Sequence, residues 1–267
     1  MSFRLTASKQ VIIDFFSTLK VVAEEAAFRI THDGLTAVIL DLSRTAILHT
    51  NYPKTLFSHY TLTAQQKIAL NTALMLEYLN RTTDDDQITL SRNHEAQNNN
   101  TLTITAYNPA LKLTREWTQP LMIIPPDDPT PVDSTYTTQI ILSAPPLAQR
   151  FEDLALVGSH ITFDAKKDSL ILTTKSDTSD AAITLPITST DALIELGISK
   201  PAQASYCAQY LIDIAKAAKT NNLIVLFAQN APMKIKYQLE TAKTVFWLSP
   251  RIIEEQTPPP TQKAASP

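Results

Sequence analysis

Glycine is nearly absent. The chain holds three, Gly34, Gly158 and Gly197, too few and too scattered for a phosphate-cradling loop or a dinucleotide fingerprint, which need clustered glycines so that backbone N–H groups can approach a phosphate. That removes most nucleotide-binding enzymes. Cysteine is scarcer still: Cys207 stands alone, so no disulfide can close within one chain, no cysteine-based metal site can be built, and a reducing compartment is expected. Nor is there a surplus of positive charge, with 23 lysines and arginines against 26 aspartates and glutamates and a formal net charge of −3. A surface coated for indiscriminate grip on nucleic acid is excluded, and any contact with a polyanion has to be local. No apolar run approaches the roughly 18 residues of a membrane span, and Met1-Ser2-Phe3-Arg4-Leu5 carries no secretory pattern. The expected location is intracellular, cytoplasmic or nucleoid in an archaeal setting and nuclear in a eukaryotic one, with no membrane partner.

What is present is enough apolar content, 44%, to bury a real core, in a length that suits two modest domains. Residues 3–8 alternate as a half-buried strand does, and Ser8 then caps a helix whose Ile12, Phe15, Phe16, Leu19 and Val22 recur at helical spacing. Residues 26–31 alternate again, His32-Asp33-Gly34 supplies a turn with glycine open to positive φ, and 35–40 runs apolar, which predicts a hairpin. A second helix is predicted over 71–82, followed by the turn Asp84-Asp85-Asp86 and strands over 87–91, 101–107 and 113–122. Then Pro125-Pro126-Asp127-Asp128-Pro129-Thr130-Pro131 places four prolines in seven residues, which fixes φ and removes donors, so an extended connector is predicted.

Beyond the connector the order returns, with a strand over 138–142, a helix over 146–156 and a hairpin from 160–165 and 170–174. Phe28 and Leu35 match Phe163 and Leu170 at one offset of 135 residues. Glu77-Tyr78-Leu79 leads to Gln87-Ile88-Thr89-Leu90, much as Gln209-Tyr210-Leu211 leads through Thr220-Asn221-Asn222 to Leu223-Ile224-Val225-Leu226. Two halves with one order of elements predict an internal duplication. The expected division is a first domain over 1–121, a connecting loop over 122–136, a second domain over 137–255 and a proline-rich disordered tail over 256–267.

The segment from Glu24 to Leu35, continuing through Leu40-Asp41-Leu42-Ser43-Arg44-Thr45-Ala46-Ile47-Leu48, resembles the first hairpin of DNA sliding clamps of the proliferating cell nuclear antigen (PCNA) family, archaeal and eukaryotic type. Ala231-Pro232-Met233-Lys234-Ile235-Lys236-Tyr237, with Val245-Phe246-Trp247-Leu248-Ser249-Pro250-Arg251-Ile252, resembles the family's closing strands. The similarity runs in one register from Phe3 to about Glu255. It implies an α+β fold of two tandem similar clamp domains, with helices lining a central hole, sheets outside, and a closed trimeric ring. The implied function is that of a polymerase processivity factor encircling double-stranded DNA. The implied partners are a clamp loader and, through short peptides of the PIP type, DNA polymerase, flap endonuclease and DNA ligase.

The resemblance also assigns sites. Lys9 and Lys20 lie on nearly one line of the first helix, Lys216 and Lys219 ride the polar face of the last helix opposite Cys207, Tyr210 and Ile214, and with Arg81 and Arg150 they would face DNA. Glu77 stands where many relatives carry lysine, at i,i+4 spacing from Arg81, and Gln149, Glu152 and Asp153 make the implied hole less positive than usual. A partner-peptide pocket would draw on Leu40, Arg44, Thr45, Ile47, Pro129, Pro131, Val132, Pro232, Trp247, Ser249 and Pro250. The strand with Leu113, Arg115 and Trp117 would join subunits by pairing with the neighbour's strand around 170–175, with Leu170, Leu172 and Thr174. No catalytic residue, metal or cofactor is expected: the histidines at 32, 49, 59, 94 and 160 lack ligand spacing, and Cys207, on the apolar side of a helix, reads as inert. Two alternatives stay open, a specialised subunit of a heterotrimeric or checkpoint-type ring, and a metal-dependent nuclease working through Asp84-Asp85-Asp86.

Overall fold

The computed structural model describes residues 2–92, 100–124, 128–131, 133–187, 192–219 and 221–251. The first half runs β1 (Phe3–Ser8), α1 (Lys9–Lys20), β2 (Glu25–Thr31), β3 (Gly34–Leu40), β4 (Ala46–Pro53), a 3-10 turn (Lys54–Leu56), β5 (His59–Leu62), β6 (Gln66–Asn71), α2 (Thr72–Asn80), β7 (Gln87–Arg92), β8 (Thr101–Asn108) and β9 (Leu113–Pro120). The second runs β10 (Thr138–Ser143), α3 (Ala144–Ala155), β11 (His160–Lys166), β12 (Ser169–Lys175), β13 (Asp180–Pro186), β14 (Leu193–Ile198), β15 (Ala202–Cys207), α4 (Ala208–Ala218), β16 (Asn222–Phe227), β17 (Met233–Leu239) and β18 (Ala242–Leu248). The first four elements of each half have identical bounds displaced by 135 residues, so the offset read from two residue pairs extends to whole elements.

Local chemistry sets these bounds. Ser8 accepts from the Val11 N–H at 3.5 Å and Asn71 from the Leu74 N–H at 2.8 Å, so each caps a helix start. Pro145 and Pro146 occupy the first turn of α3, where a missing N–H costs nothing. Phe15, Phe16, Phe28 and Tyr52 meet edge to face with ring centroids 5.1 to 5.8 Å apart, and the second half rebuilds this around Phe163 with Phe151, Tyr206 and Phe227.

Among the described residues three sheets result. One has the order β5-β1-β7-β8-β9, one β13-β12-β11-β15, and a nine-stranded sheet runs β14-β10-β16-β17-β18-β4-β3-β2-β6 through both halves. The halves are stitched where β18 pairs antiparallel with β4, Trp247 opposite Ile47 and Phe246 opposite Leu48. The helices form one contiguous row, α2 against α1, α1 against α4, and α4 against α3. No helix among the described residues is long and apolar enough to cross a membrane.

Several expectations shift. Cys207 closes β15 and caps α4 instead of riding the apolar side of that helix. The strand expected over 113–122 stops at Pro120. Short or edge strands such as β5, β13 and β14 have weak apolar alternation and escape sequence reading. His94, the connector residues Pro125, Pro126, Asp127 and Val132, and the tail over 256–267 lie outside the described residues.

Candidate functional site

Most of the cations expected to face DNA are already committed within the chain. The Lys9 ammonium donates to the Thr82 carbonyl at 2.8 Å and pairs with Asp84 at 3.3 Å. Arg150 donates to the Pro146 carbonyl at 2.7 Å. Lys216 on α4 pairs with Glu152 on α3 at 2.6 Å, and that carboxylate raises the lysine pKa. Lys219, at the C-cap of α4 with φ 56°, reaches across to Asp14 of α1. Lys20 and Arg81 are exposed at the ends of α1 and α2. The helical pairing considered for Glu77 and Arg81 does not form: α2 ends at Asn80 and Arg81 is its cap.

The second feature is a cavity of about 1040 Å³ over the outward side of β2 and β3. Ala27, Val38 and Leu40 make its floor, Val22 and Tyr210 line it, and the connector residues Asp128 and Pro129 form one wall. Of the residues expected in a peptide pocket, Leu40 and Pro129 lie here. The others are not among its lining residues, and Val132 lies outside the described residues. Ile47 pairs across strands with Trp247, and the Ser249 N–H donates to the Thr45 carbonyl at 2.8 Å. Arg44, at φ 58°, is exposed, and Pro232 and Pro250 are half-buried. Trp247 is 9% exposed, its indole N–H donates to Asp133 at 3.2 Å, and Lys234 sits 5.1 Å over its ring. Thus it packs more than it presents. Two clasps hold the connector: Asp128 takes Arg29 and Lys67, both at 2.8 Å, and Asp133 takes Lys234 at 2.7 Å. These partners hold both aspartate pKa values below the ordinary range. Sequence reading missed Val22, Glu24, Glu25, Ala27, Val38 and Tyr210, since their convergence depends on sheet register.

The rim loop after β3 is organised by Asp41. Its carboxylate accepts from the Thr45 and Ala46 N–H groups at 2.6 Å each and from the Tyr210 hydroxyl at 2.8 Å, a tie from the second half. Burial pushes the Asp41 pKa up, but these bonds together with Ser43 outweigh it and leave it below the ordinary 3.8. The stability from this depressed pKa is therefore present above the unfolded value and lost as pH falls through the folded one. Urea unfolding as a function of pH is expected to show an acid-side loss that Asp41→Asn flattens, and Asp41→Ala to cost about 2 kcal/mol at neutral pH by stranding buried donors. A variant whose acid limb matches the parent's would remove Asp41 from this account.

The third feature is a pair of strands with an unpaired edge. Among the described residues β9 bonds to β8 alone and β13 to β12 alone, as terminal strands like β5, β6, β14 and β15. This corrects the subunit-joining strand expected around 170–175: β12 is paired on both sides, by β11 and β13. Leu170 and Leu172 are 0% exposed and Thr174 2%, so they have no edge or surface to offer a neighbour. On β9, Leu113 is exposed, Trp117 stacks on Tyr78 at 5.6 Å, and Arg115 pairs with Asp86 at 2.9 Å. Asp86 is buried and also bonded to Asn108 and Thr83, while Asp84 points to solvent. The aspartate run is thus a helix-to-strand turn, and no metal-holding cluster occurs among the described residues.

A doubled unit with a row of helices and sheets carried across both copies defines the DNA clamp fold. Solved structures agree: the crystal structure of PCNA from Thermococcus kodakaraensis superposes with a TM-score of 0.83 at 22% identity, covering 94% of this chain and all of that one. Residues 131–252 match the family described as proliferating cell nuclear antigen, C-terminal domain. The DNA polymerase sliding clamp of Pyrococcus horikoshii is 25% identical over 239 residues, 89% of this chain and 93% of that one. DNA polymerase sliding clamp 1 of Thermococcus kodakarensis is 25% identical over 243 residues, 90% and 94% of the two chains. Residues 131–252 carry the C-terminal domain of the PCNA family, and the likeness along the rest of the chain supports a sliding clamp of that family. Members of that family are processivity factors rather than catalysts.

Proposed function

We propose that three copies of this chain, each of two clamp domains over 1–121 and 137–255 joined by a connector over 122–136, close a ring around duplex DNA with the helix row facing inward. The observation that carries this reading is the β18–β4 join. By the internal duplication β9 is the counterpart of β18 and β13 the counterpart of β4, and of the six terminal strands among the described residues these two are the ones whose counterparts are paired within the chain. A second copy that repeats that join head to tail satisfies both edges at once, and such a heterologous contact generates a ring when the rotation closes.

The intrachain register carries over. Leu35 pairs with Tyr52 as Leu170 pairs with Leu185, which aligns Leu48 with Ala181 and Thr50 with Ile183. Ile235 pairs with Phe246 as Ile104 pairs with Trp117. The join then places Trp117 opposite Ala181 of the next copy, Glu116 opposite Ala182, and Arg115 opposite Ile183. Light scattering of the purified chain at physiological salt tests the reading: three times 29.6 kDa is expected, and a mass of one or two chains would overturn it and point to sister subunits.

Topology holds the DNA, so the helix row needs only weak attraction to phosphates. Lys20 and Arg81 supply it directly, and Lys9, Arg150, Lys216 and Lys219 contribute as they exchange their internal partners for phosphates. Glu152→Gln frees Lys216; on a short linear duplex the slope of log K against log salt is expected to steepen by about 0.9 for each phosphate gained. An unchanged slope would take Lys216 off the DNA. The cavity over β2 and β3, with Ile47 beside it, receives short peptides of polymerase, flap endonuclease and ligase, and a clamp loader opens the ring.

A further inference from the structure

The geometry points to an acidic end of the docking groove, at the turn between α1 and β2, that recognises a lysine or arginine beside the apolar anchors of a partner peptide. This rests on reading the cavity as a peptide site and names the partner's charge, which that reading leaves open.

The floor of the groove is aliphatic and says nothing about charge, so any electrostatic preference has to come from its rim. Four carboxylates line the cavity, Glu24, Glu25, Asp41 and Asp128, against one ammonium, Lys67. Two of the four are already used. Asp128 is clasped by Lys67 and Arg29, and Asp41 is filled by hydrogen bonds from its own loop and Tyr210. Glu24 and Glu25 are exposed and make no ion pair among the described residues.

Glu24 closes the turn after α1 and Glu25 opens β2. The turn is rigid, because Thr72 donates its N–H at 2.7 Å and its hydroxyl at 2.8 Å to the Glu24 carbonyl. Two uncompensated carboxylates on a fixed turn, at the mouth of an apolar groove, complement a segment that combines hydrophobic plugs with a cationic residue.

The test uses the full chain and two fluorescein-labelled synthetic peptides with the same pair of phenylalanine anchors, one flanked by two lysines and the other by two glutamates. Anisotropy titrations at low salt are expected to give about tenfold tighter binding of the lysine peptide, a gap that narrows at high salt because exposed charges are screened. In Glu24→Gln/Glu25→Gln the gap is expected to close while the thermal midpoint is kept. Equal affinities in the parent, or a preference that survives in the double variant, would overturn the inference and leave the peptide site standing. Failure of both peptides to bind, with displacement by neither, would bring down the peptide site and this inference together.

Discussion

Glu116→Cys/Ala182→Cys, oxidised under native conditions, is expected to run on a denaturing gel as a ladder ending at three chains, with each single variant staying at one. Both positions are exposed, on the solvent side of β9 and β13, so the exchange leaves the core untouched. In the register transferred from the β18–β4 join they stand directly opposite across the seam, where Cα atoms about 4.5–5.5 Å apart fall within the range a disulfide spans. Cys207 is common to all three variants, so the singles control for it. A slip of one residue would send one of the two side chains to the other face and abolish the crosslink, so failure with an intact trimer would reject the register and keep the ring. The complementary variant is Ile183→Arg, which sets a second guanidinium opposite Arg115 of the next copy. Like charges directly opposite destabilise a strand pair, and loss of the trimer with an unchanged circular dichroism spectrum is the expected result. A variant that remains trimeric would place the seam elsewhere.

The sequence disclosed the duplication and the separate helices because both are written in local periodicity, while their alignment on one side was implied only by the resemblance: Phe28 and Phe163 sit at one offset and head equivalent aromatic clusters. The choice of joining strand failed for a physical reason. Leu170, Leu172 and Thr174 alternate cleanly because β12 has a buried face and two paired edges, whereas the free edge, β13, is marked by small and polar residues around Ala181 and Ala182, which give no apolar signal. Pairing partners were equally hidden. Asp14 and Lys219 are separated by 205 residues and Asp41 and Tyr210 by 169, so nothing local shows that a lysine counted as free for DNA already has a carboxylate, or that the groove's rim is tied to the far half. The connector was legible as an extended segment from its prolines. That Asp128 and Asp133 clasp it down at both ends of the Pro129 to Pro131 stretch is a tertiary fact.

Gly34→Ala carries the largest expected loss of stability. Gly34 opens β3 at φ +143°, a backbone region that side chains rarely enter, and an added Cβ would lie 2.1 Å from the Tyr52 carbonyl oxygen and 2.8 Å from the Pro53 Cα. Both obstacles are backbone of the paired strand β4, where Gly34 stands opposite Pro53, so no side-chain rotation relieves the overlap. Strain of about 1–3 kcal/mol for the dihedral and a similar amount for overpacking give an expected cost of about 3–5 kcal/mol, or about 10 °C in Tm for a chain of this size. The damage should spread, since β4 also forms the join with β18 and carries Ile47 beside the groove. Gly197→Ala is the control: its nearest contact would be the Gln139 carbonyl oxygen at 3.7 Å, ordinary packing distance, and a change within about 0.5 kcal/mol is expected. Urea midpoints of the two variants decide the matter. A Gly34→Ala cost below about 1 kcal/mol would mean that β3 and β4 part easily, and the rigid outer sheet on which both the seam and the groove depend would have to be abandoned.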